Sequence, residues 1–210
     1  MHISPADLTD LEVYKLMIGS IVPRPVAWIT TMTPNGLVNA APFSAFTWAS
    51  DTPPIVVISI GRRDDGQLKD TGRNIERLGE FVVNIGNQGL LTQVHLTAGD
   101  YPETVSEVEE AGLEVAPSID IKTPRLAAAP IAYECKFLQA LELGKYRSHL
   151  VLGEVVRFHV QDHLLKDGKI DIRKLDPIAR IGGPNYAHVG DIITMAPSAP
   201  QLMKSKSARV

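Results

Sequence analysis

Hydrophobic and polar positions follow extended, period-two patterns over several short stretches of this 210-residue chain. β-Branched and aromatic residues fill residues 25–33, and Asn35-Gly36, a dipeptide typical of tight hairpin turns, comes directly afterwards. This pattern predicts a first strand, a hairpin turn and a return strand that begins at residues 37–40. Residues 55–60 are apolar except for Ser59, which predicts a strand that is buried on both faces.

The remaining segments alternate between helical and extended patterns. The predicted helices are a short piece near residues 11–17, a helix over residues 67–79 with Gly79 as its C-cap, and two segments within residues 88–111. The further predicted strands are residues 81–85, 131–143 and 149–161. Many strands with few helices, and no regular β–helix–β alternation, indicate a barrel or sandwich decorated by helices rather than a Rossmann fold.

Length and composition indicate one ordinary domain. We expect a single domain over residues 1–195, followed by a tail over residues 196–210 that is flexible or packs on a partner. The formal net charge of -3 gives no reason to expect nucleic acid as a partner. No apolar run is long enough to span a bilayer, and no signal-peptide pattern is visible, so we expect a cytoplasmic protein that does not bind membranes.

Cysteine, histidine and acidic residues indicate structural roles. Cys135 is the one cysteine and lies in an alternating strand pattern, which favours a buried structural thiol over a catalytic nucleophile. Of the six histidines, His159 and His163 are four residues apart, but they lie where a predicted strand leaves for a turn rather than on a helix, so no metal is expected. The acidic run within residues 103–111 is interpreted as a solvated helix face.

Two segments have the chemistry of a site for a flat, phosphorylated ligand. The first combines hydrogen-bonding and small side chains that let a backbone approach closely: Asn39, Ala40, Ala41, Pro42, Phe43 and Ser44. The second, Lys69-Asp70-Thr71, opens a predicted helix, where free N–H groups and the helix dipole favour an anion, and Arg24 is a further cation. A strand end with a proline-bounded turn, and a capped helix with its charges in water, are the structural alternatives for these segments.

Three motifs share their order and spacing with those of the flavin reductase-like family. They are Arg24 to Thr31 followed by Gly36, Asn39 and Ala41 to Phe46; Pro53-Pro54 before a strand ending in Ser59-Ile60-Gly61, then Lys69-Asp70-Thr71 with Asn74; and His149 before Gly153-Glu154-Val155, with Ile181-Gly182-Gly183 and Tyr186. The chain resembles this family, and its flavoredoxin-like members, over about residues 14–190. The best match is the subgroup with Pro-Arg-Pro at the first strand and a long helical insertion after Ile85.

The resemblance implies a mainly β split barrel: a six-stranded, closed, antiparallel Greek-key barrel with flanking helices. It also implies a homodimer that binds FMN near the subunit interface. Residues carried over to the flavin would be Thr30, Thr31, Asn39, Ala40, Ala41, Pro42, Phe43 and Ser44 along the ring, Ser59, Ile60 and Gly61 at one edge, and Lys69, Asp70 and Thr71 at the phosphate with Arg24 nearby. His149 and Tyr186 would lie near the open face or the dimer seam.

The function that the resemblance implies is that of an FMN-binding oxidoreductase, in which hydride passes between the nicotinamide of NADH or NADPH and the flavin. No side chain is assigned as catalytic. A partner monooxygenase or an electron-transfer protein would receive the electrons. Two alternatives stay open: a flavoredoxin-like electron carrier that holds FMN permanently, and a binding module for flavin or haem breakdown without redox turnover.

Overall fold

A computed structural model describes residues 1–195 of the chain, and strands predominate in it. The strands are β1 (Arg24–Pro25), β2 (Ala27–Met32), β3 (Val38–Phe43), β4 (Phe46–Asp51), β5 (Pro54–Ile60), β6 (Glu80–Ile85), β7 (Val115–Ala116), β8 (Arg125–Leu126), β9 (Ile131–Leu143), β10 (Ser148–Val160), β11 (Leu165–Lys166), β12 (Lys169–Ile170), β13 (Ala179–Arg180) and β14 (Tyr186–Ala187). The helices are α1 (Asp10–Ser20), α2 (Asp70–Leu78), α3 (Leu91–Leu96), α4 (Glu107–Glu110) and α5 (Ile172–Leu175), with 3₁₀ turns at Pro5–Asp7, Gln88–Leu90 and Asp162–Leu164. The tail predicted over residues 196–210 lies outside the described residues.

The long strands form one antiparallel sheet in the order β3-β2-β6-β9-β10-β5-β4. The mainly β split-barrel architecture is therefore confirmed, but the prediction of six strands in a closed barrel is wrong. In residues 1–195 the sheet has seven strands, and its two edge strands, β3 and β4, are not hydrogen-bonded to each other. The chain turns sharply after Ser44 and β4 pairs with β5 instead, where the amide of Ser59 donates to the carbonyl of Ala45 at 2.8 Å.

The hairpin between β2 and β3 forms where Asn35-Gly36 predicts it. The amide of Thr33 donates to the carbonyl of Leu37 at 2.8 Å, and the amide of Gly36 donates back to Thr33 at 2.9 Å. Gly36 has φ of 87°, a conformation that residues with a Cβ rarely adopt. The register then pairs Thr31 with Asn39, so both side chains lie on the same face of the sheet.

Side chains on the two faces of the sheet enter different hydrophobic clusters. One of them, here called the main core, contains residues from β2, β5, β6, β9, β10 and α2: Ala27, Ile29, Val56, Ile58, Ile60, Ile75, Phe81, Val83, Cys135, Val151 and Val155. On the other face Trp28 is fully buried beneath the segment between β6 and β9, and its Nε1 donates to Thr97 Oγ1 at 2.9 Å. The insertion after Ile85 therefore covers the outer face of β2.

Strand β5 differs from the prediction that both of its faces are buried. Val56, Ile58 and Ile60 lie in the core, whereas Val57 and Ser59 on the opposite face are only half-buried in the single chain. The physical reason is that β5 lies one strand from the open edge of the sheet, so its outer face lacks a covering layer. Ser59 is thereby accessible to a ligand.

Helix α2 lies against β2 and β3 on the side of the main core. It begins at Asp70, three residues later than predicted, because Leu68 forms an isolated bridge with Arg62 instead of joining the helix. Its C-cap is Gly79, as predicted, with φ of 71° and its amide donating to Ile75 at 2.8 Å. This placement brings the N-terminus of α2 beside the end of β3.

Candidate functional site

A cleft of about 900 Å³, here called the large cleft, lies beside the end of β3. It is lined by Leu11, Tyr14, Lys15, Met17, Ile18, Ile21, Arg24, Val26, Pro42, Phe43, Ser44, Ala45, Ser59, Gly61, Lys69, Ala98, Arg180, Gly183 and Tyr186. Within the described residues this lining contains four cationic side chains and no aspartate or glutamate. Aromatic and aliphatic walls with cations only are suited to a planar ligand that carries negative charge.

A second depression of about 90 Å³, here called the small pocket, adjoins the large cleft through Pro42, Phe43, Lys69 and Ala98, which line both. Its remaining lining residues are Asn39, Ala41, Arg63, Asp70, Thr71, Thr97, Gly99, Asp100, Tyr101 and Glu107. The lining comes from β3, from the start of α2 and from the insertion. The small pocket is therefore polar and has room for a compact group.

The N-terminus of α2 forms one wall of the small pocket. Lys69 is the N-cap residue, but its side chain does not cap the helix, so the first amides of α2 have no side-chain acceptor. These amides and the helix dipole favour a negative charge at this point. Lys69 makes no ion pair with any of residues 1–195, and this residue lines both depressions.

Asp70 at the first position of α2 is held by two arginines. Arg63 Nη2 lies 2.6 Å from its Oδ2, and Arg73 pairs with its Oδ1. Arg73 also reaches Glu103 of the insertion, at 3.2 Å. The carboxylate is thus compensated by two guanidinium groups, and the wall of the small pocket retains the positive charge of Lys69.

A buried hydrogen-bond network joins β2, β3 and α2 at the floor of the small pocket. Asn39 Oδ1 accepts from Thr71 Oγ1 at 3.1 Å and from Thr31 Oγ1 at 3.2 Å. Asn74 Nδ2 donates to Thr31 Oγ1 at 3.2 Å. Because the Thr71 hydroxyl is committed to Asn39, the amides of α2 rather than this hydroxyl are the donors available to an anion.

Glu107 completes the network from the insertion. Asn39 Nδ2 donates to its Oε1 at 2.6 Å, and the amide of Ala40 donates to its Oε2 at 3.3 Å. The prediction of a solvated acidic face is wrong for this residue, which is only 7% exposed, although Glu109 and Glu110 are exposed as predicted. Helix α4 packs on β3, and its first residue is turned toward the sheet. Burial raises the pKa of the Glu107 carboxyl, with the negative charge of Asp70 adding to the shift.

A family model described as "Flavin reductase like domain" matches residues 18–174 of the chain. The chain belongs to the flavin reductase-like family. The matched residues include β2, β3, the start of α2 and the insertion, and so contain most of the large cleft and the small pocket. Membership of this family indicates a redox function that involves a flavin.

Solved structures of flavin reductase-like and related proteins superpose closely on this chain. Nitrilotriacetate monooxygenase component B from Bacillus cereus is 39% identical, with a TM-score of 0.90 over 93% of this chain and 98% of the other. The 2-nitrobenzoate 2-nitroreductase NbaA of Pseudomonas fluorescens is 34% identical, with a TM-score of 0.84 over 98% of this chain and all (100%) of the other. Flavoredoxin of Desulfovibrio vulgaris, at 22% identity and a TM-score of 0.76 over 95% and 99% of the two chains, shares the fold.

Most of the residues predicted for the flavin line one of the two depressions of this flavin reductase-like chain. Those that do are Arg24, Asn39, Ala41, Pro42, Phe43, Ser44, Ser59, Gly61, Lys69, Asp70 and Thr71. Thr30, Thr31, Ala40 and Ile60 line neither depression, and each is fully buried. The hydroxyl of Thr30 donates to the carbonyl of Pro124 at 2.7 Å, on the face that the insertion covers.

Arg24 lies in the large cleft and fastens α1 to the sheet. Its Nη1 donates to the carbonyls of Ile18 and Ile21 at 2.6 and 2.7 Å, and its Nε donates to Ser44 Oγ at 3.3 Å. These contacts satisfy the last carbonyls of α1 and the entry to β1. Arg24 thus contributes charge to the cleft from a fixed position, with two of its three nitrogens already occupied.

His149 and Tyr186 lie in different surroundings, although both were expected near the open face or the dimer seam. His149 is 1% exposed and packs beneath α2, with its Nε2 3.2 Å from Glu76. The expectation of an open-face position is therefore wrong for His149, because α2 covers it. Burial lowers the pKa of this imidazole. Tyr186 lines the large cleft, and the guanidinium of Arg180 lies 4.4 Å from the centre of its ring.

Several residues of the two depressions gave no recognisable signal in the sequence. They are Glu107, Arg63, Lys15, Arg180 and the insertion residues Thr97 to Tyr101. Each of these residues lies far along the chain from β3, or lies on an element whose pattern of hydrophobic and polar positions indicates exposure to solvent. The one signal that could have found Glu107 is the serine before it, because Ser106 is an N-cap and a cap fixes which residues face the sheet.

Three further features of residues 1–195 concern possible metal ligands, helix length and the cysteine. In that part of the chain no group of three or more His, Cys, Asp or Glu side chains is arranged to hold a metal ion. No helix there is long and apolar enough to cross a membrane. Cys135 is fully buried, and burial raises the pKa of its thiol, so the prediction of a buried cysteine is confirmed.

The residues present fit a flavin mononucleotide. The small pocket offers an ammonium group and uncapped helix amides, which are the donors that a phosphate monoester requires. The large cleft offers small side chains at Ser44, Ala45 and Gly61 beside the apolar surface of Phe43, which suit a planar ring with polar edges. The two sets adjoin at Lys69.

Proposed function

We propose that this chain is an FMN-binding oxidoreductase, acting as a flavin reductase that uses NADH or NADPH. The observation that carries the proposal is the junction at Lys69, where a cleft with cations and no carboxylates meets a small polar pocket at a helix N-terminus. Phosphate in the small pocket and the isoalloxazine ring in the large cleft satisfy both environments with one ligand. The cytoplasmic location stays a prediction.

The residues proposed to hold the phosphate are Lys69 and the first amides of α2, with Arg63 close by. The ring is proposed to lie along Ala41, Pro42, Phe43 and Ser44, with Ser59 and Gly61 at one edge. When bound, FMN supplies the hydride chemistry itself. The residues that line the two depressions orient the ligand and exclude water on the side of the sheet, and none of them has to act as a general acid or base. The contribution of the protein to hydride transfer is therefore to hold the two rings close together in the correct orientation.

The space left in the large cleft is proposed to receive the nicotinamide. Its outer wall is α1, which presents Tyr14 and Lys15, and its far end carries Arg180 stacked on Tyr186. A dinucleotide brings a planar ring and negative phosphates, which match aromatic and cationic side chains. Nothing in this lining distinguishes NADH from NADPH.

A second copy of the chain and a redox partner complete the proposal. Component B of nitrilotriacetate monooxygenase, which is 39% identical, carries a name that points to a partner monooxygenase, and we propose that this chain also passes its electrons to another protein. We also propose a homodimer in which the second copy covers exposed apolar residues near the cleft, including Leu11, Tyr14 and Met17 on α1.

The experiment that tests the function is a titration of the flavin-free protein with FMN, followed by nicotinamide oxidation assays. We expect saturable quenching of flavin fluorescence, and steady oxidation of NADH or NADPH once FMN is supplied. An electron carrier would instead purify yellow and be reduced only slowly by either nicotinamide. Absence of FMN binding would contradict the whole proposal, whereas binding without reduction would contradict the reductase and favour the carrier or a binding module.

A further inference from the structure

Glu107 is a buried carboxyl group in the lining of the small pocket. It lies at the floor of the small pocket and is only 7% exposed, although it starts a four-residue helix whose next acidic residues, Glu109 and Glu110, face solvent. Both of its oxygens accept hydrogen bonds, from Asn39 Nδ2 at 2.6 Å and from the amide of Ala40 at 3.3 Å. A buried carboxyl in the wall of a ligand pocket is a candidate for a functional role.

The charges around Glu107 come from three elements. From α2 and the loop before it, Asp70, Lys69 and Arg63 line the same pocket, and Asp70 is paired with Arg63 and with Arg73. The complete set of charged and titratable groups that face the pocket or lie beside it is Arg63, Lys69, Asp70, Arg73, Asp100, Tyr101 and Glu103, together with Glu109 and Glu110 on its own helix. None of the ion pairs found within residues 1–195 includes Glu107, so no cation neutralises it directly.

A phosphate in this pocket would lie close to that carboxyl. The pocket measures about 90 Å³, so a phosphate at the N-terminus of α2 shares a confined and partly desolvated space with Glu107. Two negative charges at such short range repel strongly where water is largely excluded. The repulsion disappears when the carboxyl is neutral, and the protonated group can also donate to a phosphate oxygen.

We propose, on the basis of the proposed function, that Glu107 couples flavin binding to a proton. Its carboxylate takes up one proton from solvent as the flavin phosphate enters the small pocket and releases that proton when the flavin leaves. In this role Glu107 also keeps Asn39 oriented, with the Asn39 carbonyl oxygen toward Thr71 and the start of α2. The affinity for a phosphorylated flavin therefore falls as the pH rises.

The free protein is already prepared for this step. Burial, aided by the charge of Asp70, raises the pKa of Glu107 before any ligand is bound. A phosphate raises the same pKa further, and proton uptake on binding follows from the difference between the two values. For each unit by which the pKa of Glu107 differs between the free and the FMN-bound protein, the affinity for FMN changes by at most about tenfold over the pH range of the titration.

The test is calorimetric titration of the protein with FMN in two buffers of different protonation enthalpy, from about pH 5 to about pH 9. Riboflavin, which has the same ring and no phosphate, is titrated in parallel. The phosphate of FMN exchanges protons itself, and this contribution is subtracted. After the subtraction we expect the binding of FMN to take up as much as one proton, and the binding of riboflavin to take up none. This comparison uses the natural sequence alone, so it stands whatever a substitution does to folding.

The Glu107→Gln variant isolates the side chain, and Glu110→Gln, an exposed residue of the same helix, is its matched control. Loss of proton uptake in E107Q, with uptake kept in E110Q, supports the proposal. Equal uptake for FMN and riboflavin, or unchanged uptake in E107Q, overturns it while leaving the proposed function intact. Failure of FMN to bind at any pH overturns the proposed function itself, and this inference with it.

Discussion

Lys69 is the residue on which the proposed phosphate site depends most. This residue lines both the large cleft and the small pocket, and it has no carboxylate partner within residues 1–195. For Lys69→Ala we expect FMN to bind about ten- to hundredfold more weakly, because a charge-assisted hydrogen bond contributes about 1.5–3 kcal/mol. Riboflavin binding should change little. Fluorescence titration of both flavins measures the two effects.

The matched control is Lys15→Ala, which removes a cation from α1 at the rim of the large cleft. That variant should leave FMN and riboflavin affinities within about threefold of the natural protein, since exposed charges contribute little. If Lys69→Ala weakens both flavins equally, the ammonium group does not act on the phosphate.

Glu107 also makes the stability of the fold depend on pH. Because its pKa is raised by burial, the folded chain holds this proton more tightly than the unfolded chain does. The stability due to that proton is present below the ordinary carboxyl pKa and is lost as the pH rises through the raised value of the folded state. Glu107→Gln has no proton to lose, so its melting temperature should fall less than that of the natural protein as the pH rises from about 4 toward neutrality. Parallel melting curves for the two proteins would contradict this.

The sequence identified side chains well where the chemistry is local and poorly where partners come from far along the chain. Small and hydroxyl residues at the end of β3 indicated a ligand slot, and Ala41 to Ser44 each line the large cleft, the small pocket or both. The burial of Glu107 could not be predicted, because its partner Asn39 lies 68 residues away and the acidic run around it is typical of a solvated helix. The burial of Thr31 could not be predicted for the same reason, because Asn74 of α2, which donates to its hydroxyl, is distant in the chain.

Among the elements, periodicity and turn residues located helices α1 to α4 and six of the seven strands of the large sheet, all but β4. The range predicted for β9, residues 131–143, is the observed one, and β10 differs from its prediction by one residue at each end. Strand order and edge position could not be predicted, because pairing depends on contacts between distant segments. The count of seven strands and the half-exposed face of β5 follow from that pairing rather than from local pattern.

The irregularity in β10 gives a prediction for this element. Gly153 lies where the pairing register between β9 and β10 shifts, and a Cβ there would come within 2.7 Å of Phe81 Cε1 in the main core. Phe81 is fully buried and has no room to move. We expect Gly153→Ala to destabilise the fold by about 1–3 kcal/mol, seen as a lowered midpoint in urea unfolding.

The control is Gly19→Ala in α1, where a Cβ would meet no atom within 4 Å. Alanine favours a helix over glycine by about 1 kcal/mol, so this variant should be neutral or stabilising. An unfolding midpoint for Gly153→Ala that matches the natural protein would mean that Phe81 can move aside.

Helix α1 buries little of its own surface in the single chain. It has 11 residues, none of them buried, and isolated helices of that length are marginal in water. Its exposed Leu11, Tyr14 and Met17 also wall the large cleft. We expect sedimentation to give the mass of two chains, and Leu11→Glu combined with Met17→Glu to shift it toward one.

The corresponding control is Ile119→Glu, an exposed apolar residue on the loop after β7, which should leave the mass unchanged. A natural protein that sediments as a single chain at all concentrations would exclude the homodimer. The flavin site itself would then have to form within one chain.

The decisive measurement for an FMN-dependent reductase is the absorption spectrum of the purified protein under anaerobic conditions, with FMN supplied, before and after addition of NADH or NADPH. We expect a protein-bound flavin spectrum whose visible band bleaches as the nicotinamide is oxidised in equal amount. A protein that binds no flavin, or whose bound flavin keeps its visible band with both nicotinamides, would contradict it.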